Sequence, residues 1–445
     1  MKKILVILAV AGIFIQPLSA QRKIDSLAKY RRASLYSVLI THLGEDAKAK
    51  SEDAKYHHII RDVFGVMPLP EKFNDHSLQF KYIASSETKA RKAANSDAKD
   101  RSNFEDINNF ILSNAIAKNL VAKWFNRDPE TGICNMNLIS ERGNYDAQQA
   151  DIQLAKQTMR GLAAVSDAGK DLIGHTFLLV NDITFVDKGE RSAKAAGILA
   201  GLGALLGGNM GSAFKNVAAI TNTIDGLRVN ITSYLYQLDW EDSDLYTFWE
   251  KYWTDESDSL SVRNAKRDAF DNLKATDSIF YMKYLGRTTA SAGNTSVKTG
   301  RPKKDQMLVV CARAIDKSIV KLQREYEDFK VNVPIYRIDQ KKKTVDVQIG
   351  LKEGINSKSE FDVLMPREDE SGHITYERIG HIKAISNKIW DNRFGALDEA
   401  RSGGTKTEKG EAKGNVNLDA TTFKILSGAG KIIPGCLVRE VTIKK

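Results

Sequence analysis

The sequence predicts an α+β protein in three parts. These are a helical N-terminal region over 21–125, an α/β middle domain over 126–330 carrying a Gly/Ala-rich insertion at 190–222, and a small β-barrel-like domain over 331–445. Three observations lead there. Apolar residues recur at helical spacing in the first third, at Leu27, Tyr30, Ala33, Leu35 and Leu39 and again at Ile107, Ile111, Ala115, Ile116, Leu120, Val121 and Trp124. Two apolar strand-like runs, 175–185 and 227–240, bracket a long uncharged segment. From about Lys330 onward, strand-length runs separated by turn residues take over.

The first twenty residues stand apart. Lys2 and Lys3 precede an uncharged apolar run from Ile4 to Ile15, Pro17 ends it, and Leu18-Ser19-Ala20 leads into Gln21. This is the order of a secretory signal peptide, with cleavage expected after Ala20. The run is shorter than the roughly 20 apolar residues of a membrane span. No Cys follows the expected cut to carry a lipid. The expected location is outside the cytoplasm: periplasmic, associated with the outer membrane, or secreted. Cleavage removes two lysines and takes the formal charge from +10 to +8.

In the helical region, helices are expected over 26–43 and 51–64, the second ended by Pro68 and Pro70. Residues 86–101 read as an exposed helix or connection. Ser102 to Glu105 read as a cap opening the next helix. In the middle region, 128–132 is turn chemistry, 133–139 a strand, 141–144 a turn and 146–170 a helix. The apolar run 175–185 and the alternating run 227–240, with Tyr234, Tyr236, Leu238 and Trp240 on one face, are strands. Helices follow over 243–253 and 261–273, then an exposed Ser/Thr/Gly-rich loop over 288–304 and a helix over 305–329. The last region is expected to hold strands at 334–338, 344–349, 360–364, 374–385, 422–426 and 437–443, with reversals at 350–354 and 371–372 and a flexible loop at 400–414.

Chemistry-bearing motifs are sparse. There is no His-Glu-x-x-His, no Gly-x-Ser-x-Gly and no Walker loop; His57 and His58 are adjacent, so on a helix they point apart and cannot share a metal, and the other five histidines are dispersed. Cys134, Cys311 and Cys436 form no Cys-x-x-Cys pair; an odd count permits one disulfide and one free thiol. No catalytic, cofactor-binding or metal-ligating residue is therefore assigned, and no cofactor is expected. Basic residues are scattered, without the single basic face and stacking aromatics of a nucleic-acid binder, so nucleic acid is not an expected partner.

Three segments invite a functional reading. Residues 195–214 are uncharged, with Gly197 and Gly201 four apart and Gly203, Gly207 and Gly211 likewise. In a helix this spacing permits close backbone approach, and twenty residues would reach about 30 Å. Membrane insertion, an internal or intersubunit helix or hairpin, and a Gly-rich excursion between two strands all remain open. Residues 239–258 hold six aromatics among carboxylates, a composition suited to a glycan cleft or glycosidase. Yet Leu245, Phe248, Trp249, Tyr252 and Trp253 also fall on one amphipathic helical stripe. Trp390, Asp391, Asn392 and Arg393 form a polar-aromatic cluster, readable as a binding edge or as a self-capping turn.

The last region resembles the C-terminal β-domain of the flagellar assembly protein T family. The residues that carry this are Val345 to Gly350, Gly354-Ile355, Phe361 to Leu364, Arg378 to Lys383, Phe423 to Leu426 and Ile433 to Val438. The strand–insertion–strand unit at 175–240 resembles the exported α/β domain of the curli secretion channel protein. The whole chain resembles exported proteins of Bacteroides-type bacteria. The first two resemblances imply a non-enzymatic assembly or scaffolding role, whereas the third carries no activity to transfer. The expected function is a structural or assembly component of the Gram-negative envelope, with envelope proteins or further copies of the chain as partners. Contact with the outer membrane would run through 195–214. The alternative is a glycan-binding protein or glycoside hydrolase using 239–258.

Overall fold

Ser34–Thr41 form a strand with apolar side chains on both faces. The computed structural model describes residues 33–42, 52–85, 96–143, 172–187, 227–276, 279–294, 303–330, 332–368, 374–401, 413–433 and 436–441. Strand β1 (Ser34–Thr41) sends Tyr36, Val38 and Ile40 into one core and Leu35 and Leu39 into another. This corrects the helix expected over 26–43. A strand buried on both faces reads as a continuous apolar run, which periodicity cannot separate from a helix.

Around β1 a mixed sheet assembles in the order β2-β1-β4-β5-β6, with β3 also paired to β1. The short strands β2 (Asn74–Asp75) and β3 (Tyr82–Ala84) lie parallel to the two ends of β1. On the other side β4 (Thr176–Asp187) runs parallel to β1. Strand β5 (Leu227–Asp239) pairs antiparallel with β4, and β6 (Tyr281–Asn294) antiparallel with β5. The N-terminal third thus contributes three strands to the same sheet as the middle region.

Helices cover both faces. On one lie α2 (Ser96–Ser113), α3 (Ile116–Trp124), α4 (Asn137–Gly143), α5 (Asp242–Lys251) and α6 (Leu260–Asp271); on the other, α1 (Glu52–Val66) and the long α7 (Lys303–Glu325). No cap opens at Ser102, because α2 already runs through it from Ser96. The break comes instead at Ala115, whose φ of 44° is left-handed. Asn114 Nδ2 donates to the Phe110 carbonyl at 2.9 Å and Asn119 Nδ2 to the Asn114 carbonyl at 2.9 Å, satisfying groups the break would strand.

Asp128 builds the expected turn by accepting from Glu130 N, Thr131 N and Thr131 Oγ1. The strand expected at 133–139 is instead loop leading into α4, which also absorbs the expected turn as far as Gly143. The helix expected at 146–170 lies outside the described residues. The loop expected over 288–304 is, as far as Asn294, the second half of β6. Its Ala290 and Ala292 are buried against Met307, Val310 and Ala314 of α7. Small side chains let that helix approach the sheet, and the same small residues look like loop composition.

The remaining strands close into a barrel in the order β10-β11-β8-β7-β12-β9. They are β7 (Val333–Asp339), β8 (Thr344–Val347), β9 (Glu360–Glu368), β10 (Ile374–Ala384), β11 (Thr421–Ser427) and β12 (Leu437–Glu440). Phe361 and Phe423 meet edge to face at its centre. Short helix α8 (Ala396–Arg401) and α7 join the barrel to the sandwich: Arg313 donates to the Phe394 carbonyl and pairs with Glu399 at 2.9 Å, and Arg324 pairs with Glu440 at 2.8 Å. Among the described residues no helix is long and apolar enough to cross a membrane.

Candidate functional site

The segments singled out by sequence fall in different places. Gly197, Gly201, Gly203, Gly207 and Gly211 lie outside the described residues. Trp390 to Arg393 form a loop whose polar groups are used within the protein. Asp391 is buried and pairs with Arg393 at 2.8 Å. Asn392 accepts from Lys352 N at 2.9 Å and donates to Glu353 Oε2 at 2.7 Å. Trp390 N donates to Thr421 Oγ1 at 3.0 Å. These bonds brace the short 3₁₀ turn Leu351–Glu353 against the barrel wall.

The aromatics of 239–258 face inward. Trp240, Leu245, Phe248, Trp249, Tyr252 and Trp253 are all buried, while Tyr246 is exposed. Phe248 stacks on Phe125 at 4.3 Å, and Trp249 lies 4.0 Å from Trp253. Buried rings present no face to a sugar.

Cys134, Cys311 and Cys436 are free thiols in three separate cores. Burial pushes Cys134 up to about 11 and Cys311 up to about 12, so neither is a nucleophile near neutral pH. His76 is buried, its Nε2 facing the Leu120 carbonyl at 3.1 Å and its Nδ1 facing Arg142 at 2.8 Å. A carbonyl on one side and a guanidinium on the other require the neutral Nε2–H tautomer. Burial, first, pushes its pKa down to about 3. A second polar cluster joins the ends of β1 and β4 to α2: Asp182 accepts from Asn103 at 3.0 Å and meets His42 at 2.8 Å. Among the described residues no group of three metal-ligating side chains is placed to hold an ion.

Two features that motif reading passed over remain. One is the outer edge of β6, which pairs with β5 along its length and with no other strand among the described residues. Its first half is irregular, with a register shift near Leu285 and charges at Lys283 and Arg287, both devices that protect edges. From Thr288 to Asn294 it is regular and uncharged. Lys321 Nζ of α7 donates to the Thr289 carbonyl at 2.7 Å, a cap on one edge group.

The other is a cavity of about 170 Å³ beside β1, between α1, α7 and the barrel turn. Its walls include Leu35, Phe64, Ile315 and Ile319, and its polar groups include Ser37, Lys352 and Asp316. Asp316 lies on the buried stripe of α7, one turn after Ala312 and three residues before Ile319. It is half-buried by surface because its carboxyl faces the cavity. Even so, desolvation pushes it up to about 6, against the opposing pull of Lys352 and Lys72. Lys72 is half-buried and donates to Gln323 Oε1 at 3.0 Å.

The raised carboxyl has a stability consequence. Between its ordinary 3.8 and about 6, the folded protein holds a proton that the unfolded chain releases. Stability attributable to this group therefore falls as pH rises through that window, and the full cost, on the order of 2–3 kcal/mol, is borne above it. Asp316→Asn is expected to raise the urea midpoint at pH 7.5 and to leave it nearly unchanged at pH 3.5. An equal gain at both pH values would show that charge burial is not the cause.

A scan against protein-family models finds no match to this chain, and no curated protein matches it.

Proposed function

We propose that this protein is a non-enzymatic structural or assembly component of the Gram-negative cell envelope, exported to the periplasm or the inner face of the outer membrane. It works by docking a second copy of itself along β6. The observation that carries this reading is the uncharged, regular edge from Thr288 to Asn294. Two such edges related by a two-fold axis near Ser291 have no charged residue within the paired strand positions, Arg228 of β5 being held beside the axis by the Ser291 hydroxyl at 3.0 Å, and the pairing continues one sheet through two molecules. The β-rich region 331–445 is read as a second docking module and the insertion 190–222 as a third, with outer-membrane contact through 195–214. The burial of Trp240, Phe248, Trp249, Tyr252 and Trp253 weighs against the alternative glycan-binding or glycosidase reading, which is left with Tyr246 as its exposed ring.

The expected strength is modest. Two such edges give at most about seven new hydrogen bonds of about 1 kcal/mol net, fewer where an edge group is already engaged, as the Thr289 carbonyl is by Lys321. Association costs about 4–15 kcal/mol before any surplus appears. Even against the lower figure the surplus is at most about 3 kcal/mol, short of the roughly 4 kcal/mol of a millimolar complex, so a dimer is expected only at millimolar protein or at envelope density. Within a strand, a residue's N–H and C=O lie on the same side, so Thr289→Pro removes an outward donor while sparing the β5 ladder. Sedimentation at increasing concentration should show a wild-type dimer that Thr289→Pro abolishes. Lys321→Ala, which uncovers the Thr289 carbonyl, should strengthen it. A chain that stays monomeric throughout, or a dimer indifferent to both changes, would refute docking at this edge.

A further inference from the structure

The cavity between α7 and the barrel turn takes no part in edge docking, and its chemistry is specific. We propose that it is a binding site for a small zwitterion of amino-acid size, whose ammonium is held by Asp316, whose carboxylate is held by Lys352, and whose apolar side chain lies against Leu35, Ile315 and Ile319.

Size comes first. About 170 Å³ exceeds the roughly 150 Å³ of a cavity known to hold a benzene-sized guest. That is room for a free amino acid or one residue's side chain and termini. Charge comes second. Asp75 and Asp316 are balanced by Lys81 and Lys352 around the same space. A simple anion would meet the carboxylates and a simple cation the ammonium groups; a molecule carrying both charges satisfies both ends.

Partnership comes third. Asp316 has no hydrogen bond or ion pair with any described residue, although burial works against its charge. A buried carboxylate left in that state costs stability unless something pairs with it. A ligand ammonium supplies that partner. The Lys352 backbone is fixed by Asn392, which anchors the turn carrying the opposing charge. Leu35, Phe64, Leu179, Ile315, Ile319 and Phe394 supply the apolar part of the wall, which suits a branched or aromatic side chain.

The position adds a consequence. Asp316 belongs to α7 of the sandwich, whereas Lys352 belongs to the barrel. A zwitterion bound by both ties the two bodies together across their junction.

The test uses the full chain and free L-leucine and L-phenylalanine, with isoamylamine and N-acetyl-leucine as analogues lacking one charge each. Calorimetric titration and thermal melting should show saturable binding of at least one of the two amino acids, with both analogues at least tenfold weaker. Asp316→Asn and Lys352→Met should each weaken binding at least tenfold. Ala312→Leu, which fills the space without removing either charge, should abolish it. The circular dichroism of each variant reports whether it has folded. Failure of both amino acids to bind at millimolar concentration would overturn the assignment. So would isoamylamine binding as tightly as leucine, or binding that survives Ala312→Leu in a folded protein. None of these outcomes bears on the sedimentation of the β6 variants, so the two proposals fail separately.

Discussion

Replacing Phe248 with Ala is expected to destabilise the protein by about 3–5 kcal/mol, the cost of emptying a packed aromatic site. Phe248 is fully buried, stacked on Phe125 at 4.3 Å and met edge-on by Phe270, with Phe280 and Tyr252 at 6.3 Å. The lost contacts belong to α3, α6 and the approach to β6, so the space has no single neighbour able to collapse into it. Helix α5 is held at its start by Asp244, which accepts from Glu241 N at 2.8 Å, and this keeps its register when one ring is removed. Against a total of about 5–15 kcal/mol for a folded domain, the change approaches the unfolding threshold. Urea denaturation should show a much lower midpoint with unchanged slope. Tyr246→Ala, on the exposed face of the same helix, should stay within about 0.5 kcal/mol of wild type. If the two variants behaved alike, the inward orientation of this face would be wrong.

Gly428→Ala is expected to open the barrel. Gly428 has φ of +80°, and a methyl there would meet the Ile379 carbonyl oxygen at 2.1 Å and Gly380 Cα at 2.8 Å. The left-handed backbone costs Ala about 1–2 kcal/mol, and forcing apart packed groups adds about 1–3. The obstacle is backbone on the facing strand, so no rotamer change relieves it. Strand β10 is already irregular here, with register shifts at 378–380 and 381–382. Separation of β10 from β11 is the expected path of relief. Hydrogen exchange should accelerate in β10 and β11 of the variant while β4 and β5 keep their protection. Uniform acceleration across both bodies would mean that sandwich and barrel unfold as one unit.

The sequence was most legible where each strand has one buried face. In β8, Val345 and Val347 are buried while Thr344 and Asp346 are half-buried, and turn residues bound the run. Strands β4 and β5 were legible from length and aromatic alternation, and α7 from its apolar stripe. Strand β1 was not, because burial on both faces erases the period of two. Strand β6 was not, because the small residues that let α7 approach also suit a loop. The edge of β6 became visible only once its neighbours were placed. The cavity draws on segments near residues 35, 64, 315 and 352, none informative alone. One signal was present: Asp316 is an acid on the apolar stripe of α7, where a charged side chain needs a reason.

The three thiols, each sealed in a different core, mean that oxidative chemistry on this chain is gated by conformational opening rather than by the redox potential outside. Cys134 is reached only when the helix-rich face of the sheet loosens, Cys311 only when α7 lifts, and Cys436 only when the barrel parts. No pair of them can cross-link while any two of these cores stay shut, so the folded chain is protected from mispaired disulfides by topology alone.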